Sequence, residues 1–563
     1  MTVNTDDLIG EPIDTEALAD LRTAVGERWV STDPHVLDSY AAQPFHKVEV
    51  GVWIHRPIAV VMPGDTAEIQ AVVQACNRHH LRFKAFATGW GAHAGAGFDN
   101  VVQIDLRRMN RILELDVENR TIVVEPYVTC AQIQAEVMRH GLNLHIHGAG
   151  SNCSPLANAT SHMGMGFSSI SMGYSPRNLM GIEWILPNGE LVQVGSFATG
   201  GGWVSPDGPG PSLRGAIRGF AGADGGIGVF SRVGLKLYPW SGPGEVRVTN
   251  GSFRDMEVEV PPLNGAYLCI FSNIDDYGDA LYEIGDAGIG YAQFKAAVGL
   301  GLAIGEPEIF RQARDVPTAR VQARTFENQF IMILQGHTQE HFDYELAVLR
   351  DIVTEHNGVV TTTDGLMATG PGGLWWAVIR NSLAPGMFRP TGNFYSSMGG
   401  DEAIANALRQ ATVGEELKEA FIAEGSCADD LVDNAHTLLY ENGLYAHTEE
   451  LVLYDHRDRE QNEKLKALSD TVMHSIVERT LGGGGFSFFA GAYAHEVLGP
   501  HMENYHVWQR RLKTALDPED LSDSEVLHQQ RGCGGRRSWL SECPPTAPPV
   551  AKSGEVRTPR PCW

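Results

Sequence analysis

Four glycines and a histidine within ten residues, Thr88-Gly89-Trp90-Gly91-Ala92-His93-Ala94-Gly95-Ala96-Gly97, constrain this chain more than any other stretch. Glycines permit positive φ and leave main-chain N–H groups unshielded, which is the geometry of a nest for a phosphate or pyrophosphate. The spacing meets neither the Rossmann fingerprint nor the P-loop pattern, and an isolated glycine run is also how an ordinary turn is written. Its neighbours decide between the two. Before it, 57–83 predicts a strand and then a helix opened by Asp65, with Glu68 at the capping-box spacing and Ile69, Val72, Val73 and Cys76 on one face. A short strand, Leu81–Ala85, leads directly into the loop. After it, 101–106, 111–116 and 121–126 predict three strands, and a helix starts at Thr129 with Gln132 in the boxed position and Gly141 as its stop.

Further along, a second glycine-bearing loop spans 148–166 and carries Ser151, Asn152, Cys153, Asn158, Thr160, His162, Gly164 and Gly166, small residues and short amides suited to a second close approach of backbone to a ligand. Pro187-Asn188-Gly189 predicts a hairpin turn with Asn and Gly at two positive-φ positions. Residues 196–226 are rich in Gly and Pro and predict a long loop, and Gly226-Ile227-Gly228-Val229 opens a closing strand.

Taken together, the P-x-x-V-V-x-P run at 57–63, the loop at 88–97, the segment 104–128, the loop at 148–166 and the segments 181–195 and 225–239 resemble the FAD-binding domain of the vanillyl-alcohol oxidase and p-cresol methylhydroxylase superfamily. The resemblance implies an α+β fold, with a two-subdomain FAD-binding domain of the vanillyl-alcohol oxidase type and an α+β cap over the substrate. It implies cofactor contacts at Thr88, Gly89, Trp90, Gly91, Ala92, His93 and Gly97 in the first loop, at Ser151, Asn152, Cys153, Asn158, Gly164 and Gly166 in the second, and at Gly226, Ile227 and Val229. The Gly91-Ala92-His93 run with Gly97 beyond it is similar to the segment in which berberine-bridge and 6-hydroxynicotine oxidase relatives carry a histidyl–flavin bond. His93 is thus either an attachment point or a loop hydrogen-bonding group, and Cys153 either a second, cysteinyl attachment or a buried thiol.

Composition sets the frame around this. At 563 residues the chain is too long for one core, and 43% apolar residues suffice to fill two. A formal net charge of −26 leaves no basic surplus for nucleic acid. No run approaches the roughly eighteen apolar residues of a membrane span, and the acidic start MTVNTDDLIGEPIDTE is unlike a secretion signal, so the expected compartment is the cytoplasm. Eight cysteines without a CxxC pair read as reduced, mostly buried thiols.

The expected organisation is an N-terminal arm (1–50), an FAD-binding domain (51–242), a cap (243–450), a return segment (451–523) and a disordered tail (524–563) whose Arg, Pro and Cys content breaks with the rest. In the cap, Trp375, Trp376, Arg380, Phe388, Arg389 and Tyr395 are candidates for a substrate pocket, with core packing as the competing reading of the Trp pair. In the return segment, Gly491-Ala492-Tyr493 and the ending Leu512-Lys513-Thr514-Ala515-Leu516-Asp517-Pro518 resemble the vanillyl-alcohol oxidase branch. That branch carries an arginine after the tyrosine; Ala494 stands there, which puts phenolate binding in doubt. Tyr493 is the expected acid/base and His495 the alternative, its unperturbed pKa lying nearer neutrality. His145 and His147, and His495, His501 and His506, invite a metal reading, but no third ligand completes a set and the H-x-G-D-G-N-x-H segment of glycolate and D-lactate dehydrogenase relatives is missing; no metal is expected.

The reading that results is a flavin-dependent oxidoreductase acting on an alcohol, hydroxy acid or benzylic or phenolic carbon, with oxygen or another redox partner as electron acceptor and homo-oligomerisation open. A redox-neutral flavoenzyme of the alkyl-glycerone-phosphate synthase type and a flavin-binding protein without turnover are the alternatives.

Overall fold

The helix that the sequence opens at Asp65 runs Thr66–Arg78, and the Asp65 side chain accepts the Glu68 amide as its N-cap. Ile69, Val72, Val73 and Cys76 are fully buried on its inner face. Glu68 turns back to accept the Gly64 amide at 2.7 Å and the Arg108 guanidinium at 2.9 Å. The computed structural model describes residues 12–41, 55–89, 94–148, 150–161, 164–195, 202, 212–217, 226–249, 256–295, 307–314, 316–363, 371–383, 391–431, 435–455, 457–482 and 492–524.

Two sheets follow from the strands around that helix. In the first, Ala59–Val61 and Arg82–Phe86 flank Val101–Asp105 in parallel, and the short strand Val30–Ser31 adds an antiparallel edge. The second is antiparallel throughout, in the order Ile112–Asp116, Thr121–Val124, Val229–Lys236, Leu179–Ile185, Leu191–Val194. Each sheet has its own apolar core, but Ile185 and Val229 of the second also pack into the core of the first. Buried Glu183 fastens the two together, accepting from Thr66 Oγ1 at 2.5 Å and Ser231 Oγ at 2.7 Å. The helix Cys130–Val137 carries the reciprocal capping box expected from Thr129 and Gln132.

The hairpin at 187–189 differs from expectation. Gly189 has φ +85°, but Asn188 is not at positive φ; the Gly189 amide donates to Leu186 O and Asn188 Oδ1 accepts the Glu190 amide. This is a turn with a single left-handed residue, not the two-residue turn with two. Proline at 187, whose φ is fixed near −65°, and an asparagine side chain free to bond the backbone two residues on favour that outcome.

Beyond residue 260, a four-stranded sheet (Ala292–Phe294, Gln329–Gln335, Asn264–Ile270, Val359–Thr362) and a three-stranded one (Asn393–Glu402, Tyr445–Tyr454, His436–Tyr440) are covered by the helices Ile274–Ala287, Gln339–Glu355 and Ile404–Ala423. Lys295 N donates to Thr437 O at 2.7 Å, and Leu439 N to Gln293 Oε1 at 2.8 Å, stitching the sheets together. Trp375 and Trp376 are 1% and 8% exposed in the core shared by these sheets, stacked on each other with Trp240 beside Trp375. Among the described residues they pack as core, and Arg380 lies over the Trp376 ring. Phe388, Arg389 and the Tyr395 side chain lie outside the described residues.

The chain ends its described course by returning to the first sheet. After the helices Arg459–Glu478, Ala492–Leu498 and Tyr505–Leu516, the segment 517–524 runs alongside Arg82–Phe86: Phe83 N donates to Leu521 O and Asp523 N to Phe83 O, both at 2.9 Å. Buried Lys513 holds the bend, donating to Ser522 O at 2.7 Å and to Asp517. The five described cysteines, Cys76, Cys130, Cys153, Cys269 and Cys427, are buried free thiols. No described helix is long and apolar enough to cross a membrane.

Candidate cofactor site

Five stretches of the chain meet in one cleft between the two sheets. The strand Arg82–Phe86 contributes Lys84 and Ala85 and runs on through Ala87, Thr88 and Gly89; the far arm of the first loop adds Ala94. Opposite stand Cys153, Leu156, Ala157, Asn158 and Ser161, then Gly228 and Phe230 at the start of a strand of the second sheet, and finally Ser522 and Asp523 of the return segment.

Local chemistry explains why each piece sits there. Gly89 has φ +73°, and a Cβ on it would fall 2.4 Å from the Phe86 ring, so only glycine turns the chain out of the strand. Thr88 Oγ1 accepts the Ser154 amide at 3.0 Å, joining the two loops. Ser154 caps the short helix Pro155–Thr160, which presents Asn158 to the cleft. Gly228 has φ +113°; a Cβ there would meet Ile185 O at 2.2 Å, and its amide donates to Ser522 Oγ at 3.1 Å.

The cleft wall holds polar atoms that the protein does not itself satisfy. Asn158 Nδ2 and Asp523 Oδ1 are buried and have no hydrogen-bond partner among the described residues. Such atoms cost stability unless a ligand or water meets them, so the cleft is built for a polar guest. Burial pushes the Cys153 thiol up to about 12, which keeps it protonated at neutral pH.

The residues singled out by sequence differ in where they sit. Thr88, Gly89, Cys153 and Asn158 line the cleft. Gly97 lies beside it with its amide on Asp523 Oδ2 at 2.7 Å, and Ser151 O accepts the Ala131 amide nearby. Gly164 and Gly166 serve close packing, since a Cβ would strike Ser175 or Ile146 O, while Ile227 and Val229 are buried in the cores flanking Gly228. Gly226 packs against Ser522 O, and Asn152 is exposed. Trp90, Gly91, Ala92 and His93 lie outside the described residues, as does the Tyr493 side chain, although Tyr493 belongs to the helix Ala492–Leu498. His495 is 2% exposed, stacked on His506 with ring centroids 5.2 Å apart, and Arg510 approaches its Nδ1 at 3.2 Å. Lys84, Ser522 and Asp523 are not singled out by the sequence, and Gly228 only as part of the 226–229 run. Their signal is long-range: nothing near Asp523 in the chain says that it will stand against Gly97.

A second polar cluster occupies the three-stranded sheet. His447 is fully buried, with Nδ1 2.8 Å from Asp401 Oδ1 and Nε2 3.7 Å from Glu449 Oε2; although burial opposes its charge, these carboxylates push it up to about 9. Burial pushes nearby His436 down to about 4. His436 also packs edge-on against Phe167, which follows the second glycine loop and stacks on Phe294 at 4.2 Å. His145 is likewise pushed down to about 3 by burial, beside Ser169 and Ser175.

Comparison with known proteins agrees with the cleft. Residues 57–195 match the family model described as an FAD binding domain. Over 231 residues the chain is 28% identical to 1'-carboxy-chondrochloren decarboxylase of Chondromyces crocatus, covering 40% of either chain. The sequence match thus spans about two-fifths of that relative's length. Over the whole fold it is similar to p-cresol methylhydroxylase with substrate bound (TM-score 0.71, 17% identity, covering 92% of this chain and 98% of that one). It is similar to the same degree to 4-ethylphenol oxidase from Gulosibacter chungangensis in complex with isoeugenol (TM-score 0.70, 18% identity, 92% and 99% covered). The fold is that of the vanillyl-alcohol oxidase type, the resemblance read from the sequence holds, and the cofactor of the 57–195 segment is FAD.

Proposed function

We propose that the protein is an FAD-dependent oxidoreductase that oxidises an alcohol, a hydroxy acid or a benzylic or phenolic carbon. The observation that carries this reading is the cleft itself: a glycine-built wall with buried, unmet polar atoms inside a segment that matches an FAD binding domain. When bound, the flavin supplies the hydride acceptor, its N5. The chain's part is to hold the cofactor and to place and deprotonate the substrate. Thr88, Gly89 and Asn158 are the proposed contacts to the pyrophosphate, with the first loop from Trp90 to His93 completing them. Tyr493 is the proposed base for the substrate hydroxyl, with His495 as its alternative. His495 as placed shares its helix pair with His506 and Arg510, so its lone pair is available only if Arg510 moves off Nδ1.

Anaerobic titration of the purified yellow protein with alcohols, hydroxy acids and alkylphenols tests the reading. Bleaching of the flavin by a member of one class supports it; an oxidised spectrum that no substrate changes counts against it. Tyr493→Phe is expected to slow that bleaching by about a hundredfold or more with FAD still bound. The same preparation decides attachment at His93 or Cys153: flavin found wholly in the supernatant after acid precipitation removes both bonds from consideration.

A further inference from the structure

We infer that Asp523, in the return segment, recognises the adenosine half of FAD by accepting one of its neutral hydrogen-bond donors, a ribose hydroxyl or the adenine amine. The inference rests on the reading of the cleft as the FAD site and adds to it a residue some 300 positions beyond the matched domain. The Asp523 side chain is 0% exposed. Its Oδ2 accepts the Gly97 amide at 2.7 Å and lies 3.9 Å from Lys84 Nζ. Asp523 lines the same cleft, and its buried Oδ1 has no hydrogen-bond partner among the described residues. The backbone on both sides is fixed, by the pairing with Phe83 and by Ser522 Oγ on the Gly228 amide, so the carboxylate cannot swing out to water.

A buried carboxylate oxygen needs a donor, and a carboxylate repels a pyrophosphate. Asp523 therefore excludes the phosphates from its end of the cleft, where it already occupies the Gly97 amide that would otherwise have been part of the anion nest. The phosphates are left to the donors of the cleft, Asn158 Nδ2 and the Thr88–Gly89 turn. Which half of FAD lies at which end follows from the connections of each wall. The wall from Cys153 runs back through Gly148 and His147 to the cap, where Asn381 Nδ2 donates to Ile146 O and His147 O at 3.0 and 2.8 Å. The flavin, which must meet the substrate, belongs on that side. The Asp523 wall belongs to the first sheet, whose core takes in Leu521 and none of the residues beyond Trp240 that build the cap. The adenosine belongs there.

The test compares FAD with FMN, which lacks the adenosine half. Full-length protein produced under riboflavin limitation is titrated with either flavin by fluorescence quenching, as wild type and as Asp523→Asn. The asparagine keeps a carbonyl for the Gly97 amide but turns an N–H₂ toward the ligand's donor. FAD affinity is expected to fall by about ten- to a hundredfold, the scale of a lost charge-assisted hydrogen bond, with FMN affinity unchanged. Unchanged FAD affinity, or equal loss of FAD and FMN, would overturn the assignment, the latter because it marks Asp523 as a prop for the loop. Should the variant not fold, wild-type protein is titrated with ADP, 2′-deoxy-ADP, 3′-deoxy-ADP and inosine diphosphate. A tenfold deficit for one analogue supports the assignment and names the donor, and equal binding of all four overturns it. A wild-type protein that takes up neither flavin would instead refute the cofactor reading itself.

Discussion

Two regions of this molecule bury charge, and they do so differently. In the three-stranded sheet, His447 sits between Asp401 and Glu449, and Lys418 donates to Asp430 at 2.8 Å and to Leu451 O at 3.2 Å while also pairing with Glu450. Each of those cations faces carboxylates of its own cluster, although both Glu450 oxygens lack a hydrogen bond among the described residues. At the cleft, Lys513, Asp517 and Ser522 bond one another in the same manner, but Asp523 beside them, which lines the cleft, has one oxygen without a hydrogen bond among the described residues. A buried carboxylate set against a cation of its own cluster reads as architecture, and one that lines a cleft with an oxygen unbonded is the proposed ligand contact. The difference predicts that the two regions respond alike in stability and unlike in flavin binding.

The largest effects come from removing the buried cations. Lys418→Met removes the cation from Asp430, while Glu450, already pushed up to about 7 by burial against the pull of Lys418, takes up a proton. Lys513→Met removes the cation from Asp517 and leaves Asp520 with Arg82 as its ion-pair partner. Breaking a buried pair from one side costs about 3–5 kcal/mol, so both variants are expected to show that loss in denaturant unfolding. Only Lys513→Met is expected to release FAD as well, because the bend it holds carries Ser522 and Asp523. Equal flavin retention in the two variants would erase the distinction drawn between the regions.

Much of the scaffold could be read from the sequence, because helices and strands of the flavin-binding part write their period and caps locally. The Asp65 cap, the Thr129–Gln132 box and the buried face Ile69, Val72, Val73, Cys76 are cases in point. The first wall of the cleft was legible for the same reason, since Thr88 and Gly89 advertise a loop after a strand. The second wall was not. Asp523 and Ser522 sit in a polar stretch that looks like the onset of the tail, and only the pairing of 521–523 with Phe83 gives them meaning. His447, Asp401 and Glu449 escaped for a related reason. Alternation on a strand says which residues face inward, but which carboxylate meets which imidazole depends on the register of Asn393–Glu402 against Tyr445–Tyr454, which the chain specifies only through the fold.

An intermediate effect concerns pH. The folded-state pKa of His447 lies at about 9, above the 6.5 of an unperturbed imidazole. A raised pKa means that the folded form binds the proton more tightly, so the stabilisation is fully present below pH 6.5 and is lost as pH rises through about 9. The amount is on the order of 2–3 kcal/mol, shared with the Glu449 carboxylate, which the same contact holds down. Stability measured at pH 6.5 and 9.5 is expected to differ by that amount in the wild type, and by clearly less in His447→Gln. The fraction of FAD bound is expected to be the same at both pH values while the protein remains folded. Flavin release that tracks this titration would join the two regions into one system.

The smallest effects are the most discriminating, because they remove one hydroxyl on each side and disturb little else. Tyr440 is fully buried and its hydroxyl donates to Asp401 Oδ1 at 3.1 Å, the same oxygen that His447 approaches. Ser522 Oγ accepts the Gly228 amide at 3.1 Å on the cleft wall. Each bond is worth about 1 kcal/mol net, so Tyr440→Phe and Ser522→Ala are expected to lower unfolding free energy by similar amounts. Their consequences for the cofactor differ. Tyr440→Phe leaves a closed network with one acceptor less occupied and FAD affinity unchanged. Ser522→Ala frees a Gly228 amide that points along the wall and loosens the peptide carrying Asp523, so FAD dissociation is expected to speed up severalfold. If the two variants hold FAD equally well, the return segment is merely a strap across the outside of the first sheet, and the cleft is completed without it.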